Sequence, residues 1–158
     1  MKKHLFNAIL SLIFVFVCGL FVQTYAQSVG INGSIGAVKR GGSTRGTIVM
    51  NVPPGLHANS NRPGNEYSIP TVVKLMAMRG ARVGGVSYPR GKSRRFEFSE
   101  DTLNVYEGRA AFGFNLSVPA NFKGNVVKVR ATIRYQTCTN EVCYPPKTQE
   151  ITLTAPVR

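Results

Sequence analysis

Val127-Lys128-Val129-Arg130-Ala131-Thr132-Ile133-Arg134-Tyr135 is the stretch that decides the fold. Its apolar residues, Val127, Val129, Ala131, Ile133 and Tyr135, alternate with Lys128, Arg130, Thr132 and Arg134. A period of two sends successive side chains to opposite faces of a strand, so one face is buried and the other is wet. Parallel strands are covered on both faces and read as unbroken apolar runs, so alternation this regular marks an antiparallel sheet. Outward from this run the pattern recurs. Phe112, Phe114, Leu116 and Val118 alternate with Gly113, Asn115 and Ser117, and Ile151, Leu153, Ala155 and Val157 share one face of the last run. Residues 47–52 and 69–78 are further strand-like runs. Breakers separate them at short intervals: Gly41-Gly42, Pro53-Pro54-Gly55, Pro63-Gly64, Gly84-Gly85, Pro89 to Gly91, Gly108, Gly124 and Pro145-Pro146. No segment holds an apolar 3.6-residue period for the ten or more residues that a helix needs. Many short strands with regular turns predict an all-β fold, an antiparallel β-sandwich, with a barrel as the alternative.

The first residues have a different character. Lys2 and Lys3 precede an apolar stretch from Ile9 to Val22, and Thr24-Tyr25-Ala26 offers small residues at the −3 and −1 positions of a cleavage site. This is the pattern of a secretory signal peptide over residues 1–26, and it is shorter than the roughly 20 apolar residues of a membrane span. The expected product is one exported domain, residues 27–158, soluble in the periplasm. Cleavage would remove Cys18. Val17 before it is bulkier than the residue that usually precedes a lipidated cysteine.

Twenty Lys and Arg face seven Asp and Glu, a formal charge of +13 that becomes +11 once Lys2 and Lys3 are removed. Arg79, Arg82, Arg90, Lys92, Arg94 and Arg95 concentrate part of it. The ordinary reading is a solvated basic face, and the same charge can steer an acidic protein partner. Nucleic acid is not expected as a partner of an exported chain, and no aromatic residues are interleaved with these cations.

Two cysteines remain, Cys138 and Cys143, in Tyr135-Gln136-Thr137-Cys138-Thr139-Asn140-Glu141-Val142-Cys143-Tyr144-Pro145-Pro146, a polar connection between two strands. Export places them where disulfides persist. So small a loop gains only roughly 2 kcal/mol from being closed, and a bond between near neighbours suits making and breaking. Exchange needs an accessible thiolate and a second thiol to resolve the mixed disulfide, and the spacing supplies the second. Arg134 and Lys147 flank the loop and would favour a thiolate; Glu141 within it would oppose one. A passive hairpin staple fits the spacing equally well. No metal site and no cofactor are expected: a zinc centre takes about four ligands, and only His57 could join the two cysteines. Nothing marks His57 as the base of a cysteine protease.

The cysteine segment, with its flanking Tyr135-Gln136 and Tyr144-Pro145-Pro146, resembles the active-site segment of the N-terminal periplasmic domain of the thiol:disulfide interchange protein DsbD. Val52-Pro53-Pro54-Gly55-Leu56-His57-Ala58-Asn59-Ser60, Tyr67-Ser68-Ile69-Pro70-Thr71, Tyr88-Pro89-x-Gly91-Lys92 and Val105-Tyr106-Glu107-Gly108 extend the resemblance from about Thr47 to the C-terminus. It implies an immunoglobulin-like sandwich. It also implies a relay in which the pair takes electrons from a thioredoxin-like protein, fed by a membrane electron carrier, and passes them to exported thiol proteins such as disulfide isomerases or cytochrome c maturation factors. By the same resemblance Cys143 attacks and Cys138 resolves, Tyr135 and Tyr144 border the pair, and a cap loop near residues 95–99 covers it. Phe98 is then the first choice of shielding aromatic and Phe96 the second, although both also read as core residues of one strand face. Two features depart from the family pattern. The loop between the cysteines is one residue shorter, and His57 and Asn59 stand where the family has tyrosines. His57 reads either as a group that tunes a nearby thiol or as an ordinary surface histidine. The donor domain and membrane carrier are expected on separate chains.

Overall fold

The computed structural model describes residues 28–158, so the signal-peptide segment and Cys18 lie outside the described residues. Eleven strands follow one another, with no helix among the described residues: β1 Gly30–Ile35, β2 Ser43–Val52, β3 His57–Asn59, β4 Val72–Ala77, β5 Arg82–Val83, β6 Lys92–Phe96, β7 Ser99–Tyr106, β8 Gly108–Ser117, β9 Val126–Tyr135, β10 Thr137–Cys138 and β11 Lys147–Pro156.

The alternation of β9 is realised residue by residue. Val127, Val129, Ala131, Ile133 and Tyr135 are buried, while Lys128, Arg130 and Arg134 are exposed. β9 lies between β11 and β4, antiparallel to both, with Lys147 opposite Tyr135 at one end and Pro156 opposite Val126 at the other. The facing layer has the order β1-β2-β8-β5, in which β2 and β8 pair over ten residues from Ser43↔Ser117 to Val52↔Gly108. Ile48, Met50, Phe112, Phe114 and Leu116 from this layer meet Val127, Val129, Ala131, Ile133 and Leu153 from the other in one continuous core. Burying such side chains contributes roughly 1.5–3 kcal/mol each, which is what holds the two layers together. The layers approach so closely at Gly33 that a Cβ there would stand 3.2 Å from Leu153 Cδ2. This is the immunoglobulin-like antiparallel sandwich that the alternation and the family pattern predict.

A third sheet, β10-β3-β7-β6, caps one end of the sandwich. It is built largely from chain leaving the main layers. β3 follows β2 after the Pro53–Leu56 turn, closed by Leu56 N donating to Pro53 O at 3.1 Å. β10 follows β9 after one residue, and β7 passes into β8 through Glu107 and Gly108, a glycine with φ of 63°. Phe96, Leu103 and Val105 form a small core of their own there. The site lies in this third sheet.

The structure corrects one expectation here. The cysteine segment is more than a connecting loop, because Cys138 belongs to a strand, β10, paired with β3.

Candidate redox site

β9 delivers the chain to the site. Tyr135, its last residue, is buried, and its hydroxyl accepts a hydrogen bond from Gln149 Nε2 at 2.6 Å. Burial raises this phenol above its ordinary pKa of 10.0, so it remains a neutral hydroxyl at physiological pH. Gln136 follows. Its Oε1 accepts from Asn59 Nδ2 at 3.0 Å and from Ile69 N at 3.2 Å, and its Nε2 donates to the Tyr144 carbonyl at 3.1 Å. One side chain therefore ties β3 and the residue 69 segment to the far side of the cysteine hairpin.

β10 sets Cys138 directly opposite His57. Cys143 returns to face Cys138 in an antiparallel bridge, and the two sulfurs are bonded at 2.01 Å. Tyr144 N donates to Thr137 O at 2.8 Å on one side of the bridge, and Thr139 N donates to Val142 O at 2.8 Å on the other. Thr139 Oγ1 accepts from Glu141 N and Val142 N within the turn. Short polar side chains close turns in this way, so the hairpin has hydrogen bonds of its own besides the disulfide. The sulfurs differ in access. Cys138 is 2% exposed, while Cys143 is half-buried beside exposed Val142 and Tyr144.

The β6–β7 turn reaches this loop. Glu97 and Phe98 form the turn, and Glu97 N donates to Asn140 O at 3.3 Å. Phe96 is buried with Leu103 and Val105, and its ring centroid lies 4.8 Å from that of His57. Phe98 stacks on Phe96 with centroids 5.1 Å apart and planes 10° from parallel. Of the two candidate shielding aromatics, Phe96 lies inside the site wall, and Phe98 lies outside it, partly exposed.

His57 is no ordinary surface histidine. Its side chain is 15% exposed, with Nδ1 3.0 Å from Glu107 Oε1 and Nε2 3.0 Å from Asn140 Oδ1. Glu107 also accepts from Arg94 Nε and Nη2 at 2.7 and 2.8 Å and from Lys92 Nζ at 3.2 Å. Asn59, two residues further along β3, is almost wholly buried and bonds Gln136, but its Oδ1 has no protein hydrogen-bond partner. The structure thus brings Cys138, Cys143, His57 and Phe96 together, sets Phe98 and Tyr144 at the rim, and places Tyr135 and Asn59 beneath. The basic residues divide: Arg82 lies on β5 in the main sandwich, while Lys92, Arg94 and Arg95 lie on β6 in the third sheet. Among the described residues, no three His, Cys, Asp or Glu side chains gather as metal ligands do.

Glu107, Asn140 and the role of Gln136 were not legible as site features in the sequence. Glu107 offered one signal, a lone carboxylate following a strand that faces Lys92 and Arg94. The Arg94 guanidinium holds its carboxyl well below the ordinary 4.5, at about 2, with burial opposing and Lys92 assisting. A carboxylate whose pKa falls on folding stabilises the fold above its unfolded pKa and loses that contribution as pH drops. The stability difference between wild type and Glu107→Gln is therefore expected to be constant above about pH 4.5 and to shrink toward pH 2. Urea melts at intervals across that range check it; a difference that does not change with pH would show that the ion pairs add no stability.

Fold and site together define an immunoglobulin-like sandwich domain that carries a cysteine pair on an end sheet, beside an aromatic hairpin turn. Residues 34–155 match the family described as thiol:disulfide interchange protein DsbD, N-terminal, and the chain belongs to that family. Family and cysteine pair together support a thiol–disulfide exchange module. Two solved structures are similar. The N-terminal periplasmic domain of ScsB from Proteus mirabilis matches with a TM-score of 0.54 and 13% identity, over 87% of this chain and 49% of that one. The reduced DsbD N-terminal domain of Neisseria meningitidis matches with a TM-score of 0.47 and 17% identity, over 86% of this chain and 94% of that one. Among proteins of curated function there is no significant sequence match. No helix of the described residues is long and apolar enough to cross a membrane.

Proposed function

We propose that this domain is a periplasmic thiol–disulfide exchange module that passes electrons from a thioredoxin-like donor, supplied by a membrane electron carrier, to exported thiol proteins. Disulfide isomerases and cytochrome c maturation factors are the acceptor classes that the family implies. Cys143 is the attacking residue and Cys138 the resolving one. In the reduced domain, the Cys143 thiolate attacks an acceptor disulfide, forming a mixed disulfide and releasing one acceptor thiolate. The Cys138 thiolate then attacks the Cys143 sulfur, forming the internal disulfide and releasing the second acceptor thiolate. Two electrons pass to the acceptor, and its two sulfurs take up two protons. A thioredoxin-like dithiol restores the pair by the same steps reversed.

The observation that carries this reading is the unequal access of two sulfurs on one short hairpin. Cys143 is half-buried and Cys138 is buried, so a partner sulfur approaching in line meets Cys143 first. The hairpin has backbone bonds of its own, Tyr144 N to Thr137 O and Thr139 N to Val142 O, which bracket the cysteines. A disulfide that shares its hairpin with such bonds is suited to exchange.

Trapping tests it. A Cys138→Ala variant in the periplasm is expected to accumulate mixed disulfides with exported thiol proteins through Cys143. The Cys143→Ala variant is expected to accumulate at least tenfold fewer, because a buried sulfur meets partners rarely. Equal capture by both variants would overturn the assignment of roles. Capture by neither, with a reduction potential below about −300 mV, would identify a structural bond and overturn the relay itself.

A further inference from the structure

We propose that the outer face of the β4-β9-β11 sheet, with a cavity at the end remote from the cysteines, seats the domain on an anionic phospholipid bilayer. β9 turns Val126, Lys128, Arg130, Thr132 and Arg134 away from the core, and β4 sets Lys74 and Met76 beside them. Lys74 stands opposite Thr132, diagonal to Arg130 and Arg134, so four cations share one flat surface. On its outward side β11 adds threonines and one acid, Glu150, which accepts from Thr132 Oγ1 at 3.0 Å. Among the described residues every ion pair converges on Glu107, so none of the four cations has a carboxylate partner. Like charges crowded on one sheet face repel each other, and a surface of anionic headgroups relieves that repulsion. Met76 and Val126 decide the kind of anion. They are 63% and 46% exposed among the cations. A soluble polyanion gains nothing from apolar side chains, whereas the interfacial layer of a bilayer takes them up between its phosphates.

The cavity has the same double character. Its volume is about 350 Å³, and Met78, Arg79, Asn125, Val126 and Lys128 line it. Arg79 and Lys128 supply charge, and Met78 and Val126 supply apolar wall. Asn125 Oδ1 already accepts from Arg40 Nη2 at 3.3 Å, so this amide has donors left to offer. Arg79 is held there against its backbone preference. Met78-Arg79-Gly80-Ala81 is a turn closed by Ala81 N donating to Met78 O at 3.3 Å, with φ of 59° at Arg79 and 76° at Gly80. Such turns ordinarily take Asn-Gly or Asp-Gly, because a positive φ strains a long side chain. Here the strained residue lays its guanidinium over Gly124, where a Cβ would stand 3.3 Å from Arg79 Nη1. Donors bordered by apolar carbon suit a phosphodiester headgroup and the glycerol end behind it. Lys128 and Tyr135 lie at opposite ends of β9, roughly 23 Å apart at about 3.3 Å per residue, so a domain seated by this face keeps its sulfurs clear of the lipid. The inference rests on the exchange reading for its purpose alone, since that reading draws electrons from a membrane carrier.

Cosedimentation of the purified protein tests it, with vesicles of equal parts phosphatidylglycerol and phosphatidylcholine against vesicles of phosphatidylcholine alone. Binding is expected to the mixed vesicles only, and to weaken as salt rises. Each cation removed is expected to weaken it about fivefold, so Lys74→Gln, Lys128→Gln and Arg130→Gln combined weaken it about a hundredfold. Arg79→Asn is expected to lose about fivefold while melting no lower than wild type, because asparagine suits the turn. That variant separates lost binding from lost fold. Met76→Ser is expected to weaken vesicle binding and leave its salt dependence unchanged. No preference for the mixed vesicles, or full binding by the triple variant, would overturn the inference. Equally tight binding of soluble heparin, with Met76→Ser without effect, would identify a general polyanion site and overturn it as well. The relay fails separately: loss of capture by Cys143 in lipid-free solution sinks the exchange reading and leaves vesicle binding intact.

Discussion

Replacing Phe112 by alanine is expected to lower the unfolding free energy by about 3–5 kcal/mol, the cost of emptying a large aromatic site in a core that relaxes only partly. For a domain of this size that corresponds to a fall in Tm of roughly 10–20 °C. The ring is fully buried and stands edge-on to two tyrosines, Tyr88 and Tyr106, each with its centroid 5.6 Å away. Aromatic pairs in this arrangement contribute beyond their buried area. Both tyrosines also hold chain near the redox site. The Tyr88 hydroxyl accepts from Val73 N at 2.9 Å, which fixes β4. The Tyr106 hydroxyl donates to Asn61 Oδ1 at 2.8 Å, fixing the chain just beyond β3. Loss of Phe112 therefore loosens the floor beneath His57 and Asn59 as well as the sandwich core. Urea unfolding checks it: the midpoint should fall with little change in slope. A loss under about 1 kcal/mol would show that the two tyrosines close over the gap and that the ring is dispensable.

Most of the main layers, β1 and the two-residue β5 excepted, was legible in the sequence because the strands are long and one-sided. β8 and β9 run for ten residues each, and their alternation maps onto buried and exposed positions without a slip. The end sheet was not legible, for three physical reasons. β3 and β10 have three and two residues, too few to establish a period, so nothing in the chain announces that His57 faces Cys138. β6 exposes Lys92, Ser93, Arg94 and Arg95 and buries only Phe96, so its strand reads as a charge run. Its register also shifts between Arg94 and Phe96, which breaks any alternation that a longer strand would have shown. The cysteines themselves stood out, because two thiols in a short polar segment are chemically conspicuous. Their neighbours did not. Glu107, Asn140 and Gln136 are ordinary polar residues until the fold delivers them to one place, since the bonds that join them to His57, Asn59 and Ile69 span 50 or more residues and leave no local pattern.

Gln136 shows what such a residue does, and its replacement by alanine is expected to cost roughly 2–4 kcal/mol while disturbing the cysteine hairpin out of proportion to that loss. Three groups lose a partner at once: Asn59 Nδ2, Ile69 N and the Tyr144 carbonyl. Asn59 suffers most, because it is almost wholly buried and its Oδ1 already has no protein partner. Leaving a buried amide short of partners carries the full cost of its lost hydration, whereas the exposed Tyr144 end can turn to water. Stability loss therefore comes chiefly from the Asn59 side and loosening of the hairpin from the Tyr144 side. Gln136→Glu separates the two. A carboxylate still accepts from Asn59 Nδ2 and Ile69 N, but it offers Tyr144 an acceptor where a donor stood. The Glu variant is thus expected to keep most of the stability that Ala loses, while amide hydrogen exchange across residues 137–144 rises in both. Equal stability losses in the two variants would place the cost at the Tyr144 bond instead. Unchanged exchange in both would mean that Thr139 and the backbone bonds beside the cysteines hold the hairpin unaided, with the disulfide seated by its own turn.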